Sequence, residues 1–176
     1  MALNPASAAA AISAAYQDAS GIDASGNPTG AMPAGNYPAD FASAYNDYAM
    51  AGVVPGAENT GGDASILEAA LTSATSSPAT ITTLATAFAN YWATVAIDPG
   101  TPAHGGVSVV SVSNNAATLA ALFEAAINAS ITDEDSSPWF ETFISNVQDM
   151  AVANIVWTVT ELIPPAVPTP FTEVIT

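Results

Sequence analysis

Not one lysine or arginine occurs along this chain, against 16 aspartates and glutamates and a single histidine. A typical domain is about a quarter charged with the two signs balanced, so about twenty basic residues are missing. No carboxylate can therefore pair with a cationic side chain of its own chain. Each must be solvated, sit at a helix N-terminus, hold a metal ion or meet another protein. The fold has to be held by packing. The same imbalance, a formal net charge of -16, repels phosphates and anionic lipid, so nucleic acid, nucleotides and inner-leaflet membrane are excluded as partners.

Hydrophobic residues make up 50% of the chain and charged ones 9%, too apolar for a disordered acidic tail. A length of 176 residues suits one domain with a real core. Cysteine is absent, which removes disulfides, thiolate metal sites and thiol nucleophiles. The N-terminus is apolar but lacks the positive region of a secretory signal, and Asn4-Pro5 reads as a helix start. The uncharged stretch Ala79 to Ile97 approaches a membrane span in length, yet its threonines, asparagine and alanines read as a buried helix.

Capping and turn residues divide the chain. Asn4 with Pro5 opens a helix that Ser20 and Gly21 stop, and a turn-rich segment follows to Pro38. Phe41, Tyr45 and Tyr48 form one stripe of a second helix. Asp63 caps a third, and Ser77-Pro78 opens a fourth with Ile81, Leu84, Phe88, Tyr91, Trp92 and Val95 on its apolar face. Residues 95–112 are β-branched around Pro and Gly and read as a small β-hairpin or ribbon. Asn114 or Asn115 caps the next helix. Ser137-Pro138 opens a long one whose last turns, within 152–163, are β-branched enough to be strand instead. The expected fold is thus mainly α (α+β): an N-terminal helix and Gly/Pro-rich loop or arm over 1–37, an Ala-rich helical domain with the β ribbon over 38–163, and an extended Pro-rich arm over 164–176.

Candidate chemistry is sparse. Asp133-Glu134-Asp135 could offer hard oxygen ligands, but an EF-hand register would place Pro138 and Ile144 where Gly and Glu are required, so a solvated loop is the better reading. His104, in PAHGG, lacks the nucleophile elbow of a serine hydrolase and reads as a turn residue. Glu68, Glu124 and Glu141 offer no pair with glycosidase spacing. Asn128-Ala129-Ser130 matches a glycosylation sequon on a helix end. Trp92, Trp139, Trp157 and the Tyr45/Tyr48 pair suit a core otherwise made of alanine better than a sugar-binding face. We therefore expect no enzyme, no cofactor and no catalytic or metal residue. Phe171, Val174 and Ile175 on the C-terminal arm are the expected interaction residues.

The segment TITTLATAFANYWATVAIDPGTPAHGGVSVVSVS, in which an amphipathic helix with a late aromatic pair feeds a short β segment and a Gly/Pro-rich tract, resembles small virion structural proteins of tailed bacteriophages. That resemblance implies a head, connector or tail component present in many copies, located in the virion. The chain departs from it in lacking basic residues. The expected function is a non-enzymatic structural subunit of a large assembly, its partners other structural proteins with basic contact surfaces. The alternative is a secreted or cell-surface binding protein dependent on calcium or carbohydrate.

Overall fold

Six helices dominate the computed structural model, which describes residues 4–21, 36–51, 58–76, 80–98, 107–112, 116–132, 139–163 and 167–174. They are α1 (Pro5–Ser20), α2 (Tyr37–Met50), α3 (Ser65–Ser76), α4 (Ile81–Thr94), α5 (Ala116–Thr132) and α6 (Trp139–Met150). Each packs on the next, and α6 closes back onto α1, so the helices form a closed circuit of neighbours. Local chemistry sets most of the described helix ends. The Asn4 side chain accepts a hydrogen bond from the Ser7 N–H, and Gly21 takes the left-handed conformation, φ 66°, that ends α1. Asp40 Oδ2 accepts from the Asn36 N–H at the start of α2. Asp63 Oδ1 accepts from both the N–H and the hydroxyl of Ser65 ahead of α3. The cap of α4 is Thr80, which accepts from the Thr83 N–H, rather than Ser77.

The core is aromatic because alanine helices leave volume that only rings can fill. Phe88 of α4 lies within 6.4 Å, centroid to centroid, of Phe41 and Tyr45 on α2, Phe123 on α5 and Phe143 on α6. Tyr45, Tyr91 and Trp92 are wholly buried beside it. Most of the apolar stretch expected to be a buried helix is α4, with Ala85, Ala87, Phe88, Ala89, Tyr91 and Trp92 all buried. Among the described residues, no helix is long and apolar enough to cross a membrane.

The β structure corrects the expected fold class. Among the described residues of 95–112 no hairpin or ribbon forms, because the two β-branched runs do not pair with each other. Ala96–Asp98 (β2) pairs antiparallel with Glu58–Gly61 (β1), whereas Val107–Val112 (β3) pairs with Val156–Ile163 (β4). The C-terminal arm is not free either: Val167–Val174 (β5) completes a three-stranded antiparallel sheet in the order β3-β4-β5. Both errors share a cause. Strand pairing is set by partners far away in sequence, which local spacing does not reveal. α6 stops at Met150, a short 3₁₀ turn follows at Val152–Asn154, and the β-branched run from Val156 continues as strand.

The prolines of β5 have a definite place in this ladder. Proline donates no hydrogen bond, so the pairs Thr160↔Pro170 and Leu162↔Pro168 are held by their neighbours Val167, Thr169 and Phe171. Backbone N–H and C=O of one residue point to the same side of an antiparallel strand. Pro168 and Pro170 therefore face the outer edge, where a missing donor costs no ladder bond.

Candidate interaction surface

A groove of about 510 Å³ runs between α1 and α2. It is lined at Asn4, the cap of α1, and at Ser7, Ala8, Ala11, Ala15 and Asp18 along that helix, and at Asp40, Ser43, Ala44, Asp47 and Tyr48 along α2 with Ala51 just past its end. The lining positions on each helix follow one another at one, three or four residues, which keeps them on one helical face. Small side chains make the hollow: Ala8 is buried and Ala15 and Ala44 are half-buried. Asp18, Asp40 and Asp47 are exposed at its rim, and the chain contains no Lys or Arg to pair with them. Asp18 and Asp47 stand in the last turns of their helices, which carry no basic residue. Backbone carbonyls there disfavour an anion, so both carboxylates sit where helix stability alone would not put them.

Three tyrosines, of which Tyr48 lines the groove, have phenols raised above their ordinary value. Burial, and then the neighbouring Tyr16, push the Tyr37 phenol up to about 12. Burial raises Tyr48 further, helped by the negative charge of Asp149. Burial likewise raises Tyr91, opposed by a hydrogen bond from the Gly62 backbone and assisted by Asp47.

Elsewhere the described residues offer little chemistry. Tyr45 and Tyr48 are buried along with Trp92, so these rings form core and not a sugar platform. Trp139 begins α6 and Trp157 lies on β4. Glu124 accepts from the Thr82 hydroxyl at 3.3 Å, joining α5 to α4, while Glu68 lies on α3 and Glu141 on α6. In the sequon, Asn128 Nδ2 donates to the Glu124 carbonyl. Ser130 is fully buried, its hydroxyl donating to the Ala126 carbonyl and accepting from Asn146 Nδ2. Those bonds fit a helix interior better than a glycan acceptor. No group of three or more acidic or histidine side chains that could hold a metal ion occurs among the described residues. His104 and Asp133-Glu134-Asp135 lie outside them.

Of the expected interaction residues, Phe171 stands opposite Val159 and Val174 opposite Val156 in the β4–β5 ladder, while Ile175 lies outside the described residues. Asp40 and Asp47 were not singled out by the sequence, although their seven-residue spacing places them on one helical face. Comparison with protein families, with curated proteins and with solved structures finds no match.

Proposed function

We propose that this chain is a non-enzymatic structural subunit of a large assembly, a head, connector or tail component of a tailed-phage virion, held in place by partners with basic contact surfaces. The observation that carries the reading is electrostatic: 16 carboxylates and no basic side chain, with three of the carboxylates on the rim of one groove. Complementary charge speeds association and suppresses wrong partners, and a uniformly acidic subunit meets that condition only with a basic neighbour. An aromatic core built across four helices gives such a subunit a rigid body to present.

The test is the state of the chain in its source. Electron microscopy with mass spectrometry of purified particles should find it at a fixed copy number, released by raised salt as screening weakens the contact. Recovery only as a free monomer would overturn the reading, as would a hydrolytic activity abolished by His104→Gln.

A further inference from the structure

We propose that the α1–α2 groove is the seat of a basic amphipathic helix belonging to a different protein. The inference rests on the subunit reading above and adds to it a place and a partner geometry. The lining keeps to one face of each helix, so the hollow runs along both and suits a third helix lying in it. From Asn4 to Asp18 the stripe runs about 21 Å, at about 1.5 Å per residue, the length of a helix of about fourteen residues. The small side chains of Ala8, Ala11, Ala15 and Ala44 let a helix approach closely, in the helix-in-groove mode of recognition.

Charge then selects the occupant. Asp18, Asp40 and Asp47 line the hollow, so a helix seated there brings Lys or Arg to its flanks. A second copy of this chain has none to bring and would add its own carboxylates instead. Two of the three acids also occupy helix C-terminal turns, against the helix dipole. That placement costs the free protein stability and returns it when a cation arrives.

The probe is a capped eighteen-residue alanine/lysine peptide with one alanine face, compared with its glutamate counterpart, against the whole chain. Binding of the lysine peptide should shift the NMR methyl signals of Ala8, Ala15 and Ala44. The double variant Asp18→Asn/Asp47→Asn should weaken it about five- to tenfold, the scale of two exposed ion pairs, while raising the melting temperature of the free chain. The glutamate peptide should not bind. The inference is overturned if the lysine peptide does not bind, if its shifts spread equally to helices bearing Glu68 and Glu124, or if the double variant binds unchanged. These outcomes are separable from the subunit reading: a chain found in particles whose groove ignores the peptide loses only this inference. A monomeric chain whose groove binds the peptide loses only the assembly.

Discussion

Trp92 Nε1 donates a hydrogen bond to Tyr45 Oη at 2.9 Å, joining two wholly buried side chains that are 47 positions apart. The bond gives the indole N–H a partner inside a largely apolar core, and it ties α4 to α2. Tyr45→Phe keeps the ring and leaves that N–H without this acceptor. Removing the partner of a buried donor costs about 1–3 kcal/mol. The urea midpoint should fall accordingly, with the slope unchanged. Trp92→Ala should cost about 3–5 kcal/mol through the cavity it opens.

The turn from β1 into α3 passes Asn46 at close range. Gly61 has φ +78°, and a Cβ there would lie 2.7 Å from Asn46 Oδ1 and 2.8 Å from Met50 Cγ. The same Asn46 oxygen accepts from the Gly62 N–H at 3.0 Å and from the Tyr91 hydroxyl at 2.8 Å. Gly61→Ala therefore combines a disfavoured backbone conformation with a displaced acceptor. It should destabilise by about 1–3 kcal/mol, measured by thermal melting.

Helix starts were readable where a cap and its helix lie within four residues, as at Asn4 and Asp63. Ser77 misled because Thr80, three residues on, offers the same hydroxyl and is the one used. The strands were not readable in that way. Glu58–Gly61 lacks a β-branched pattern, and its partner Ala96–Asp98 lies across two helices. The final prolines removed donors from any strand, which argued for a free arm. Only the register shows that both fall on one edge. The groove was half legible: the spacing of Asp40 and Asp47 gives a face, but which neighbour flanks that face depends on the packing of α1.

Alkaline pH should unfold this chain early. Tyr37 is raised from an ordinary 10 to about 12, and Tyr45, Tyr48 and Tyr91 are also raised, chiefly by burial. A phenol with a raised folded-state pKa binds its proton more tightly when folded. Its contribution is intact below about pH 10 and is lost as pH climbs through the folded value. Urea midpoints measured from pH 8 upward should stay level with respect to these groups and then drop above about pH 10, with tyrosinate absorbance rising together with unfolding. Tyr37→Phe should flatten part of that drop between pH 10 and 12. A slope there equal to that of the parent would remove Tyr37 from the account.

The β5 edge makes a sharper demand, because two neighbouring positions should respond in opposite ways to proline. Pro168 and Pro170 face outward and deny two donors to any strand approaching from solvent, a known protection against edge-to-edge association. Replacing both with threonine restores those donors and adds β propensity. The Pro168→Thr/Pro170→Thr chain should keep its secondary structure but self-associate, seen as higher mass in sedimentation at raised concentration. Thr169→Pro, one position between them, should do the reverse. Thr169 pairs with Glu161 on the bonded side, so proline there removes a ladder donor, and the sheet should loosen with faster amide exchange along β4 while the chain stays no more associated than the parent. If the double threonine variant remains monomeric at every concentration, the prolines do not guard that edge and the assignment of their outward face fails.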